Sequence, residues 1–157
     1  MATATSPVIK AIATNRKASH DFTIHERIEA GVVLVGSEVK SLRDAKATLV
    51  DGWVEIRRGE AYLHGIQINE YPWANRFNHE VGRVRKLLLH RQELEKLQVK
   101  TQQRGFTLIP VSLYFKGSKV KVELALVTHK KLHDKRDAKR DAEAKREIDR
   151  ALKQSRR

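Results

Sequence analysis

Residues 119–128 read KVKVELALVT, and the reading of this decapeptide decides the fold. Val120, Val122, Leu124 and Leu126 share one face of a pleated strand, while Lys119, Lys121 and Glu123 share the other. One face fills a core; the other offers charge to solvent or to a phosphate. Upstream, Phe106 to Phe115 has the same strand character, and Lys116-Gly117-Ser118 supplies a glycine-bearing hairpin loop between the two.

Working outward, the pattern stays β-like. Phe22 and Ile24 alternate with polar neighbours, and Val32-Val33-Leu34-Val35 is an apolar run after Gly31. Val54 and Ile56 precede Arg57-Arg58-Gly59-Glu60, and Tyr62, His64, Ile66 and Ile68 are expected to share a face after it, which makes a second hairpin. Arg85 to His90 reads as a short strand through Leu87-Leu88-Leu89. Two helices interrupt the strands. One spans Ser37 to Asp44, with Ser37 as its N-cap. The other spans Arg91 to Arg104, with Leu94, Leu97 and Thr101 in helical spacing and Gly105 as its stop. Glu70 to Gly82, around Tyr71-Pro72-Trp73, reads as a mobile loop. About six short antiparallel strands with two inserted helices predict a mainly β fold, a small closed or nearly closed barrel of the oligonucleotide-binding kind.

Three segments follow from this: a flexible leader over 1–14, a barrel domain over 15–128 and a basic tail over 129–157. The tail holds twelve Lys and Arg against six Asp and Glu, and no aromatic residue, Gly or Pro. It cannot bury enough apolar surface to repay its ordering entropy. Opposite charges at i, i+4, such as Asp141 with Lys145 and Asp149 with Lys153, nevertheless favour helix. A disordered tail that becomes helical on a target is the expectation.

The whole chain of 157 residues carries 32 Lys and Arg against 19 Asp and Glu, a net charge of +13. A surplus of that size calls for an anionic partner, and nucleic acid is the usual one. With no cysteine there is no disulfide framework, thiolate zinc site or cysteine nucleophile. No apolar run approaches a membrane span, and Met1 to Thr14 lacks the pattern of a signal peptide, so a cytoplasmic monomer without a membrane partner is expected.

A search for catalysis is unproductive. There is no glycine-rich phosphate loop, nucleophile elbow or HExxH. His129 and His133 would share a helical face, but Lys130 and Lys131 between them repel cations, so neither metal nor cofactor is expected. His20 and His25 read as solvent-facing strand residues. Arg83, Arg85 and Lys86 form a cluster entering an apolar strand, which reads as a phosphate contact. Glu29, just before Gly31, reads on composition as a turn residue. An RNA-binding protein that is not an enzyme is the outcome.

Several strings taken together carry a resemblance. In order they are Asn15-Arg16-Lys17-Ala18, Glu29-Ala30-Gly31, Gly36-Ser37-Glu38-Val39-Lys40-Ser41-Leu42-Arg43, Arg85-Lys86-Leu87-Leu88-Leu89, Ser112-Leu113-Tyr114-Phe115-Lys116 and Lys130-Lys131-Leu132-His133-Asp134-Lys135-Arg136. From Asn15 to about Arg136 the chain resembles the bacterial SsrA-binding family, also called small protein B. The resemblance implies an oligonucleotide-binding barrel that grips the tRNA-like domain of transfer-messenger RNA. It implies delivery of that RNA to stalled ribosomes in trans-translation, with the tail entering the vacant mRNA channel as a helix. It also moves Glu29 from a turn residue to an RNA-binding carboxylate, able to accept from a base or a 2′-hydroxyl. The family's apolar contact falls on Leu88 and its outer-face lysine on Lys121, with Lys130 and Lys131 as further RNA contacts at the head of the tail. The residues facing small-subunit rRNA at the decoding centre fall on His133, Asp134, Lys135 and Arg136. Two positions depart from the pattern: His90 replaces an Asn found in some members, and His129 stands where Gly often precedes the lysine pair. Histidine also donates a hydrogen bond, so the contact at position 90 is expected to survive in altered geometry. The alternative from another class is a basic structural rRNA-binding protein of the ribosome.

Overall fold

The computed structural model describes residues 6–74, 78–130 and 132–155. Six strands close into a ring: Phe106–Lys116 (β8), Trp53–Arg57 (β4), Glu60–His64 (β5), Arg85–Leu88 (β7), Phe22–Val32 (β2) and Lys119–His129 (β9), which returns to β8. Every pairing in the ring is antiparallel. A further strand, Ile9–Thr14 (β1), adds to the free half of β8, and Ala47–Thr48 (β3) pairs with Gln67–Ile68 (β6) as a small separate ribbon. Four helices complete the described chain: Ala18–Asp21 (α1), Gly36–Arg43 (α2), Arg91–Thr101 (α3) and Leu132–Ser155 (α4).

The final hairpin has the pleat that its sequence dictates. Val122, Leu124 and Leu126 point into the barrel with Val54, Leu63, Leu87 and Leu108, and α2 and α3 contribute Leu42 and Leu97 to the same core. Alternation does not account for the outer face of the far half of β9. There Ala125 and Val127 join Ile109, Val111 and Ala18 in a second small core, with Phe22 and Ile24 packed against it. Two bulges make this layer possible, between Ile24 and Glu26 in β2 and between Pro110 and Ser112 in β8. An extra residue reverses which face follows it. Hence Ile24 packs outside the barrel while Ile28, four residues on, packs against its interior.

Four expectations are corrected. Ile9–Thr14, expected within a loose leader, is strand β1, paired from Ile9↔Lys116 to Thr14↔Ser112. In the second hairpin Ala61 and Leu63 point inward instead of Tyr62 and His64. Gly65, at φ +74°, then turns the chain, and Ile66 and Ile68 become buried. A Cβ at that glycine would lie 2.4 Å from the Asp51 carbonyl oxygen, so no other residue takes this corner. Helix α2 begins one residue earlier than expected, behind Val35, which has no capping side chain. Glu38 supplies the cap instead, accepting the Val35 N–H at 3.0 Å, while the Ser37 hydroxyl pairs with His79 at 2.9 Å. Helix α3 stops at Thr101 rather than Arg104; a turn follows, and Gly105 leaves it at φ +88°.

The loop expected over Glu70 to Gly82 is tied at its base. Asn78 accepts the Tyr71 N–H and donates to the Tyr71 carbonyl, and buried His79 pairs with the Ile68 carbonyl at 2.8 Å. Trp73 in this loop is 82% exposed.

The tail leaves the barrel through a defined junction. The His129 ring packs on Phe22 at 4.5 Å, and Lys130 donates its N–H to the Asp21 carbonyl and its ammonium to the Ser19 carbonyl. Beyond it, the described side chains of α4 are exposed from Arg136 onward. A chain ending after Lys130 is therefore expected to melt cooperatively within about 4 °C of the full chain, as a change near 1 kcal/mol would give. Thermal unfolding followed by circular dichroism checks this, and loss of the cooperative transition would show that the barrel depends on α4.

Candidate nucleic-acid interface

The outer face of the ring carries a row of four residues set by strand register. Tyr114 on β8 is opposite Lys121 on β9; Lys121 is opposite Gly31 on β2; Gly31 is opposite Leu88 on β7. Directly paired residues share a face, so these side chains lie side by side. Gly31 is the gap in the row. A Cβ built there would approach Leu88 Cβ to 3.2 Å and the Lys121 Nζ to 3.7 Å, so the missing side chain is what lets these two close over the strand.

An open groove of about 760 Å³ follows this row, and its walls include Glu29, Gly31, Leu88, His90, Lys96 and Lys121. Sequence reasoning named four of them separately, on three strands and a loop; the fold brings all four together. Leu88 is 56% exposed, which is unusual for a leucine on a strand and suits a ribose or base face rather than the core. Lys121 is half-buried and makes no ion pair or hydrogen bond with the described residues, so its ammonium is free for a phosphate. His90 sits at the start of α3, where its backbone N–H donates to the Glu93 carboxylate at 3.3 Å, and its side chain is exposed.

Glu29 is the group whose state matters most. Its carboxylate accepts from the Tyr114 hydroxyl and from the Lys116 ammonium at 3.1 Å. The Tyr114 hydrogen bond, foremost, with Lys116 and Lys121 behind it, holds the Glu29 carboxyl below the ordinary glutamate range despite partial desolvation. An ionised carboxylate is acceptor-only, so the groove presents an acceptor beside a cation and an apolar surface. That combination can bond a base edge or 2′-hydroxyl, neutralise a phosphate and pack against a sugar or base.

The cluster of Arg83, Arg85 and Lys86 is divided by the fold, and Arg85 in particular is not the surface cation expected of it. Arg85 is fully buried, with its guanidinium on the Glu38 carboxylate and on the carbonyls of Arg83 and Val81. Arg83 also binds Glu38 and, at 3.3 Å, the Val33 carbonyl. Lys86 is exposed but paired with Glu60 at 3.0 Å. The alternation of β7 explains the difference: Arg85 and Leu87 face inward, Lys86 and Leu88 outward. A buried arginine must be paired, and Glu38, which the helical spacing hid, is its partner.

At the tail, the Lys130 ammonium is committed to the Ser19 carbonyl at 2.8 Å. Lys131 lies outside the described residues. His133, Asp134, Lys135 and Arg136 lie in the first turns of α4; the side chains of the first three are outside the described set, and that of Arg136 is exposed. Because His129 belongs to β9, it does not share a helical face with His133. Among the described residues no group of three or more potential metal ligands occurs, and no helix is long and apolar enough to cross a membrane.

The model of the family described as SmpB protein matches residues 12–154. The chain belongs to the SmpB protein family. Among SmpB relatives, the SsrA-binding protein of Syntrophobacter fumaroxidans is 51% identical over 97% of this chain and 94% of its own. That of Thermobifida fusca is 51% identical over 94% and 92%. A solved SmpB chain, from work described as "tmRNA-SmpB: a journey to the center of the bacterial ribosome", superposes with a TM-score of 0.66. It is 41% identical, and the match covers 76% of this chain and 85% of that one. Sequence reasoning missed Tyr114, Lys116 and Lys96. The first two were within reach: a hairpin closed by residues 117 and 118 sets Tyr114 opposite Lys121 by counting alone.

Proposed function

We propose that the groove between Glu29, Leu88, His90 and Lys121 binds the tRNA-like domain of transfer-messenger RNA. The chain is a transfer-messenger-RNA-binding adaptor of trans-translation, and its partners are that RNA and the ribosome. The observation that carries the groove reading is the convergence of an ionised acceptor, an exposed leucine and an unpaired lysine on one register row. In this reading Lys121 neutralises a phosphate, Glu29 accepts from a base edge or 2′-hydroxyl, and Leu88 and His90 pack beside them. The tail acts at the other partner. Helix α4 has 24 residues, about 36 Å of helix at ~1.5 Å per residue, enough to reach along the vacant mRNA channel from a barrel seated beside the decoding centre.

Two substitutions separate the roles. Lys121→Ala is expected to weaken binding and to reduce the slope of log affinity against log salt by about 0.9, one counterion fewer. Glu29→Ala is expected to weaken binding about tenfold with the slope unchanged, since a lost charge-assisted hydrogen bond releases no counterion. Salt-titrated binding to the isolated tRNA-like domain measures both. An unchanged affinity and slope for Lys121→Ala would remove the outer face from the interface.

A further inference from the structure

Tyr114 sits on the outer face of β8 yet is only 8% exposed. The strand that carries Glu29, β2, is separated from β8 by β9. Two strand spacings are about 10 Å, so the tyrosine ring has to cross the outer face of β9, beside Lys121, for its hydroxyl to reach the Glu29 carboxylate. A phenol buried there has one polar atom to satisfy, and Glu29 satisfies it.

We infer that Tyr114 is a positioning residue for RNA recognition, its hydroxyl holding the Glu29 carboxylate in one orientation from the buried side while the remaining lone pairs face the groove. The inference rests on the reading that Glu29 contacts RNA. The ligand group it prepares for is an N–H of a base edge or a ribose 2′-hydroxyl, because a carboxylate held as an acceptor repels phosphate and bonds only to donors.

The two partners of Glu29 differ in what RNA can do to them. Lys116 is exposed enough to be drawn away by a phosphate, and it meets both carboxylate oxygens at 3.1 and 3.4 Å. The Tyr114 hydroxyl is neutral and enclosed, so it stays with Oε2 whatever the salt or the ligand. Each carboxylate oxygen accepts about two hydrogen bonds, so Oε1 and the second site on Oε2 remain for RNA once Lys116 moves. Fixing the side chain before binding removes an ordering cost from the binding step. Burial, together with the Glu29 hydrogen bond, pushes the Tyr114 phenol well above its ordinary value, so it remains a donor throughout the physiological range.

The test is a double-substitution cycle on the full chain, read as affinity for the tRNA-like domain at fixed salt. Tyr114→Phe keeps the ring and removes only the hydroxyl. It is expected to weaken binding about tenfold when Glu29 is present and less than about twofold in the Glu29→Ala background, with the salt slope unchanged in both. An equal loss in both backgrounds would overturn the inference, because the hydroxyl would then act apart from Glu29. So would unchanged affinity for Tyr114→Phe where Glu29→Ala costs its tenfold. If Glu29→Ala itself binds like the natural chain, the groove reading fails first and the positioning role falls with it.

Discussion

Glu38→Ala is expected to remove about 3–5 kcal/mol of folding stability, the range for breaking a buried ion pair from one side. Glu38 and Arg85 are both fully buried, and Glu38 also holds Arg83 and the N–H of Val35. Removing the carboxylate strands a guanidinium in the interior and uncaps α2 in the same step. The loss is comparable with the total stability of a small domain, ~5–15 kcal/mol, so denaturant titration should find a much lower midpoint or no folded baseline. A loss below about 1 kcal/mol would show that water reaches Arg85. The same cluster governs acid unfolding. Burial pushes the Glu38 carboxyl up, but Arg83, the Val35 N–H and Arg85 outweigh it, and the net shift is downward. A depressed carboxyl contributes stability above its unfolded value and loses it as pH falls through the folded one. Stability is therefore expected to hold through neutral pH and to fall below the ordinary glutamate range.

The second large effect concerns ribosomes rather than folding. Replacing His133, Asp134, Lys135 and Arg136 together with alanine is expected to leave the complex with transfer-messenger RNA nearly intact. Alanine transfer to a nascent chain on a ribosome whose message ends at the P site should fall roughly a hundredfold. Two lost charged hydrogen bonds at about 1.5 kcal/mol each suffice for that factor. The four residues combine an aromatic donor, a carboxylate and two cations, a mixture suited to bonding and stacking on rRNA. A nonspecific basic tether predicts instead that scrambling the tail at constant charge preserves transfer. Near-normal transfer from the scrambled chain would leave electrostatics as the tail's only role.

What the sequence could disclose followed from local rules. The period-2 pattern of Val120 to Leu126 and the glycine at 117 disclose the last hairpin and the outward direction of Lys121, but not its register, because Lys116, expected in the loop, pairs with Lys119. Such segments together give about six antiparallel strands, while closure of the ring rests on the short β2–β7 and β4–β8 pairings that no local pattern shows. Features that depend on distant partners were hidden. Ser37, read as a cap, marks a helix over Ser37 to Asp44, yet nothing local shows that Glu38 on that helix would meet Arg85. Arg85 therefore read as a surface cation among surface cations. The bulges at His25 and Val111 turn apolar residues outward into a second core, and alternation without the partner strand cannot reveal an extra residue. Glu29 shows the same limit: on composition it is a turn residue, and only the resemblance and then the contacts of Tyr114 and Lys116 mark it as a held acceptor. Strand β1 was lost among small residues, because its pairing edge is the late strand β8.

Photo-crosslinking from the groove tests the central assignment most directly. Leu88 is exposed, and a photoreactive phenylalanine in its place is expected to leave the core intact. With the tRNA-like domain of transfer-messenger RNA bound, irradiation should give a single specific RNA adduct from position 88. A probe at Trp53, exposed on β4 across the ring from β2, should give none from that domain. An adduct from position 53 with none from position 88 would contradict the account, placing the RNA on the opposite face of the barrel.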